Sequence, residues 1–133
     1  MAQDVVDPDD ADRGEPAVRT LAMPADTNPS GDIFGGWVIA QMDLAAGIVA
    51  GRRAQGRVAT VALDGLSFHL PVRVGDLVSC HACVTRVGRT SMTIKVETYV
   101  IRARTMEEVK VTEGHFTMVA IDADGRPRPV PDL

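Results

Sequence analysis

Between residues 35 and 53 the chain is apolar at nearly every turn: Trp37, Val38, Ile39, Met42, Leu44, Ala45, Ile48 and Val49 leave no continuous polar face. That pattern predicts a helix from Gly35 or Gly36 to about Arg53, buried on most sides. Arg52 and Arg53 suit its negative C-terminal end. From Arg57 onward the period shortens to that of strands. Residues 57–70, "RVATVALDGLSFHL", predict a strand with a bulge or bend at Gly65. Residues 76–87 predict a second, and "VGRT" (87–90) the tight turn after it. In residues 90–104, Met92, Ile94, Val96 and Val100 alternate with Thr93, Lys95, Glu97 and Tyr99, which predicts a long, half-exposed strand with one apolar face. Residues 110–122 predict a last strand, closed by the Asp124-Gly125 turn signal. Ahead of the helix, residues 15–23 predict a first strand ended by Pro24. Asp26, Asn28, Pro29, Ser30 and Gly31 then supply turn chemistry. The terminal "RPRPVPDL" is too rich in proline to extend a sheet.

One strand, one helix and then about four consecutive strands define an α+β class. Short turns between the later strands point to an antiparallel meander, and a helix apolar on all sides needs walls around it. A curved antiparallel sheet wrapped around one central helix meets both demands. Its open edge and second face are expected to be covered by another copy of the chain.

Charge sharpens the domain picture. The 133 residues carry a formal charge of −4. Residues 1–14 hold Asp4, Asp7, Asp9, Asp10 and Asp12 against Arg13, a balance of −5 + 1 = −4, so residues 15–133 are formally neutral. The reading is a disordered acidic leader over residues 1–14 and one domain over residues 15–133. A neutral body lacks the basic face that nucleic-acid binding requires. The apolar run of residues 35–51 is short for a membrane span and is interrupted by Gln41 and Asp43, with no basic segment leading into it. The expectation is a cytoplasmic protein without a membrane partner.

The cysteines point away from redox and metal chemistry. "CHAC" sets Cys80 and Cys83 at redox-motif spacing, yet inside a predicted strand, where residues three apart face opposite ways. His69, His81 and His115 form no zinc-ligand pattern with them. No metal or separate cofactor is expected.

Asp43 is the informative residue. It shares a helical face with Gly36, Ile39, Ala40, Ala46 and Gly47, all apolar or small. A carboxylate there is costly unless paired or used. One reading is a hydrogen-bonded structural aspartate; the other is a general base whose pKa the apolar surroundings raise. Gly35 and Gly36, where the helix starts, allow close backbone approach and leave N–H donors directed outward, equipment for holding a carbonyl oxygen. Tight packing is the alternative reason for the pair. Seven residues separate Gly36 from Asp43, about 10 Å along a helix axis, so an antiparallel second copy would bring Asp43 of one chain to the glycines of the other.

"RTLAMPADTN", "GDIFGGW", "QMD", "GRV", Phe68 to Pro71, "VGD" and "VGRTS" resemble, in order and spacing, the YciA-like bacterial acyl-CoA thioesterases of the hotdog-fold superfamily. The resemblance runs from Arg19 to Pro131. It implies a hotdog fold, a homo-oligomer with the dimer as its minimum unit and hexamers built as trimers of dimers, and hydrolysis of acyl-CoA to free acid and CoA. It further implies that Asp43 is the catalytic carboxylate, with Asn28 a second polar group at the site and Gly35 and Gly36 holding the thioester carbonyl. A thioester carbonyl is electrophilic enough for an oriented water with a carboxylate base; Asp43 as a nucleophile is the other route. Gly88, Arg89, Thr90 and Ser91 form a turn suited to a phosphate or the pantetheine arm, with Arg57 a further candidate. The family usually has a basic residue just before the proline that ends "FHLP", where this chain has Leu70, and His69 reads as an ordinary strand residue. The rival from another class is a non-catalytic acyl-CoA-binding hotdog module. A dehydratase on the same fold is disfavoured, because no histidine lies in the helix or the loop before it.

Overall fold

The computed structural model describes residues 13–132. In chain order the elements are β1 (Val18–Leu21), α1 (Gly35–Ala54), β2 (Val58–Phe68), β3 (Leu77–Val87), β4 (Ser91–Ile101) and β5 (Glu108–Ala120), with a single 3-10 turn, Pro24–Asp26, before the helix. The strands form one antiparallel sheet in the order β1-β3-β4-β5-β2. The helix packs across one face of it.

The expected meander is correct for β3, β4 and β5 but not for β2. Although β2 precedes β3 in the chain, it lies at the far edge, paired with β5 from Val58↔Ala120 to Phe68↔Thr112. The link makes this possible. Residues 69–76, fully extended, span roughly 26 Å, whereas crossing three strand spacings takes about 14 Å. A hairpin would have required only about two to five residues. The bend predicted at Gly65 is present: φ there is +66°, in the left-handed region that glycine tolerates, and the β2–β5 register shifts between Asp64 and Ser67.

The core lies between the helix and the sheet. Val38, Met42, Ala45, Ala46 and Ala50 meet Ile94, Val96, Phe116 and Met118 in one buried cluster. Alanines along the inner face let the helix lie close to the strands. The opposite face is not covered. Ala40 and Leu44 are exposed, Leu44 by 58%, and Ile48 by 38%. The all-round apolar helix therefore has one wall within a single chain and lacks the second. The adjoining edge strand β2 likewise exposes Val61 by 59%.

The outer face of the sheet is less open than alternation in β4 predicts. Glu97 and Tyr99, expected at its polar surface, are both buried. Lys110 Nζ donates to Glu97 Oε2 at 2.8 Å, and the guanidinium of Arg13 lies 3.9 Å above the Tyr99 ring while also pairing with Glu108 at 2.7 Å. The predicted acidic leader lies outside the described residues except for Arg13 and Gly14. Cys80 and Cys83 fall on opposite faces of β3, as the strand reading requires, one buried and one exposed.

The proline-rich C-terminal segment folds back instead of extending the sheet. Arg128 donates from Nη2 to the Ala54 carbonyl at the helix end and from Nε to the Ile121 carbonyl, both at 3.0 Å. Arg53 Nη1 reaches the Pro131 carbonyl at 2.5 Å. Among the described residues, no helix is long and apolar enough to cross a membrane.

Candidate active site

Asp43 sits two turns into α1, half-buried at the seam between the helix and β2. Its Oδ1 accepts a 2.6 Å hydrogen bond from Thr60 Oγ1, a hydroxyl that also lies 3.3 Å from Met118 Sδ. This neutral donor fixes the carboxylate without neutralising it. Asp43 is adjacent to the uncovered helix face carrying Ala40 and Leu44, so its surroundings are apolar as the spacing predicts, yet open. Thr60 is the residue that the sequence does not disclose, since nothing in "VATVA" signals which strand position will meet the helix.

Gly35 and Gly36 form the start of α1, as predicted, and no side chain caps it. A Cβ placed on Gly36 would meet nothing within 4 Å, so packing inside the chain does not require glycine there. At Gly35 the same atom would touch the Phe68 ring at 3.5 Å, an ordinary contact. Trp37 and Val38 turn their N–H groups to the Phe34 carbonyl, which leaves those of Gly35 and Gly36 as the donors of this helix end. Beside them lies a cleft of about 320 Å³, lined by Ile33, Gly35, Val38, Phe68, His69, Leu70, Pro71 and Val72. His69 is not a strand residue: it follows the end of β2, held by its N–H to the Val111 carbonyl at 2.9 Å, and lines this cleft. Phe68 borders the cleft, whereas Met42 and Met92 are buried in the core.

Asn28 organises the loop leading to the helix. Its Oδ1 accepts from the N–H groups of Ser30 and Asp32 at 2.9 and 3.1 Å, so that the Nδ2 amide is the group with donors to offer. Asn28, Gly35 and Gly36 thus belong to one end of the molecule, where β2 finishes.

Arg57, Gly88, Arg89, Thr90 and Ser91 occupy the other end. The predicted β3–β4 turn is closed by Gly88 N–H to the Ser91 carbonyl at 2.7 Å. The turn is tied to its neighbours because the Arg89 carbonyl accepts from Val130 N–H at 2.8 Å and that of Thr90 from Ala120 N–H at 2.9 Å. The Arg89 side chain is exposed. Arg57 Nη1 is engaged by the carbonyls of Asp122 and Ala123, each at 3.3 Å. A helix of 20 residues, about 30 Å long, separates this group from the glycines. One chain does not bring the two groups together.

Two buried groups have altered titration without facing the cleft. Burial pushes the Cys80 thiol up to about 11, against a weaker opposing contact from Thr98, which makes it a poor nucleophile. Burial lowers the proton affinity of His81. "VGD" also has a structural use: Asp76 is buried, paired with Arg102 Nη1 at 2.6 Å, and its Oδ2 accepts from Arg73 N–H at 2.8 Å.

One helix laid across a long antiparallel sheet, with its N-terminus open beside a cleft, is the hotdog architecture. The sequence pattern of the thioesterase superfamily matches residues 30–106, and the chain belongs to that family. It is 51% identical over 123 residues to an uncharacterized acyl-CoA thioester hydrolase of Zymomonas mobilis, covering 92% of this chain and 83% of that one. It is 48% identical over 126 residues to the acyl-CoA thioester hydrolase YciA of Salmonella typhimurium, covering 92% and 95%. Among solved structures, the hexameric hotdog fold thioesterase of Campylobacter jejuni superposes with a TM-score of 0.87 at 40% identity, covering 90% of this chain and 92% of that one.

Proposed function

We propose that the chain hydrolyses acyl-CoA thioesters to free carboxylic acid and CoA at a site shared by two subunits. The observation that carries this reading is the division of the site. Asp43 and an uncovered apolar helix face lie along α1, and the open glycine end of the same helix lies about 10 Å further on. An antiparallel second copy seated on Ala40, Leu44 and Ile48 supplies the missing wall and sets each Asp43 toward the partner's glycine pair. It also carries its Arg57 and its Gly88–Ser91 turn toward this chain's cleft, where they would meet CoA. The relatives support acyl-CoA as substrate, and those solved as hexamers support a trimer of such dimers.

In this mechanism Asp43, oriented by Thr60, takes a proton from a water as the water oxygen attacks the thioester carbonyl. The developing oxyanion is held by N–H groups at Gly35 and Gly36 of the partner subunit, where the helix dipole adds to the hydrogen bonds. Collapse breaks the C–S bond, and the CoA thiolate leaves and takes up the proton. Asn28 contributes an amide donor to the same end. No cofactor is needed, because CoA enters and leaves as part of substrate and product. A cytoplasmic location suits that substrate.

Thiol release from a panel of acyl-CoA chain lengths, by wild type, Asp43→Ala and Asp43→Asn, tests the proposal. Hydrolysis by wild type that both substitutions abolish is the expected result. Binding of acyl-CoA without thiol release at any chain length would establish the non-catalytic module instead.

A further inference from the structure

A second cavity, lined by charge, takes part of its lining from the loop stretch that follows the one bordering the glycine cleft. Its volume is about 430 Å³, within the range of small-molecule sites, and Arg73, Asp76, Arg102, Arg104 and Glu107 border it. Arg102 is bound inward to Asp76 and, through Nη1 at 2.9 Å, to the Pro71 carbonyl. Arg73 and Arg104 are exposed, and neither side chain has a hydrogen bond or ion pair among the described residues.

Consecutive stretches of one loop wall the two cavities. The loop that returns from β2 contributes Phe68 to Val72 to the glycine cleft and Arg73 to Asp76 to the charged pocket. Arg102 stitches the two stretches together by holding Pro71 and Asp76 at once. A ligand lying along this wall passes from helix N–H donors, over a largely apolar stretch, to two unengaged guanidinium groups. That order of chemistry is the order found along an acyl-CoA: thioester, neutral pantetheine arm, phosphorylated nucleotide.

The geometry points to Arg73 and Arg104 as the groups that receive the 3′-phosphate of CoA, at the far end of the same wall that carries the thioester. This assignment rests on the acyl-CoA reading above and deepens it. Arg57 is already engaged by two carbonyls, and the Gly88–Ser91 turn that the proposed dimer brings in from the partner subunit is left to the diphosphate and the pantetheine arm. Two guanidinium groups match a phosphate dianion in charge and in planar donor geometry.

Binding of free CoA and of dephospho-CoA, measured by calorimetry on the assembled protein, tests the assignment without requiring hydrolysis. Wild type is expected to bind CoA about tenfold more tightly than dephospho-CoA, the effect of a charge-assisted hydrogen bond. Arg73→Ala/Arg104→Ala should bind both ligands alike, at the affinity wild type has for dephospho-CoA. Both residues are exposed, so retained assembly size and far-UV circular dichroism serve as the folding control. The assignment is overturned if wild type does not distinguish the ligands, or if the double variant still does. Loss of discrimination in Arg89→Ala but not in the double variant would place the phosphate at the β3–β4 turn and overturn it equally. A protein that shows the expected discrimination yet releases no thiol would sink the hydrolase reading and leave this one standing.

Discussion

Thr60 on the edge strand donates its hydroxyl to Asp43 Oδ1 at 2.6 Å, joining β2 to the exposed side of the helix. A single neutral donor fixes the carboxylate's rotamer and leaves Oδ2 for a water. If Asp43 is the base, Thr60 is its positioning residue. Thr60→Val should lower thiol release about tenfold and Thr60→Ser should restore most of it, while Asp43→Asn should cost at least about a hundredfold. Steady-state assays on one acyl-CoA check all three. Equal loss in the Val and Ser variants would show that the hydroxyl is not what matters.

Leu44 tests the proposed sharing of the site between two subunits. It is the most exposed large apolar residue of the helix, at 58%, and an exposed apolar face of that kind marks an interaction surface. Leu44→Glu should yield a smaller species by light scattering, with thiol release lost in parallel. A variant that keeps both its size and its activity would place the subunit contact elsewhere.

Much of this arrangement is legible along the chain. The predicted helix differs from Gly35–Ala54 by a residue at its end, the β3–β4 turn is where "VGRT" sets it, and Asp43 stands out because a lone carboxylate in an apolar run is costly wherever it folds. What is not legible depends on contacts between distant segments. The β2 crossover follows from strand pairing, and an eight-residue link permits either neighbour. Thr60 gains its importance only because the helix crosses that strand position. Tyr99 and Glu97 fit an exposed polar face by alternation, until Arg13 and Lys110, remote in sequence, close over them.

Arg102 and Asp76 provide a stability test independent of assembly. Their side chains are only 12% and 3% exposed, so removing the cation leaves a buried carboxylate without its counter-charge. Arg102→Ala should destabilise the fold by about 3 kcal/mol, seen as an earlier urea midpoint. A change below about 1 kcal/mol would mean that the Arg73 N–H alone is sufficient for Asp76.

His81 predicts an acid-side loss of stability. Its ring is buried, 5.6 Å from Tyr99 and edge-on to it, with Nδ1 3.2 Å from the Arg13 carbonyl. Burial, with a lesser contribution from the charges of Arg13 and Arg19, lowers its pKa from 6.5. The folded state therefore binds fewer protons than the unfolded chain just below that value. Its stability should rise with pH up to 6.5 and level off above it as far as this residue is concerned. His81→Asn should flatten that rise in denaturation midpoints taken from about pH 5 to about pH 8. An unchanged slope would assign the effect to other groups.

The backfolded C-terminal segment has a mechanical consequence. Arg128 and Arg53 fasten it to the last turn of the helix, and Val130 fastens it to Arg89 in the β3–β4 turn. These three attachments make the segment a tie-bar between the helix and the hairpin that carries Arg89. Strain applied at either one is transmitted to the other, so that hairpin cannot swing away from the helix unless the tail lets go first.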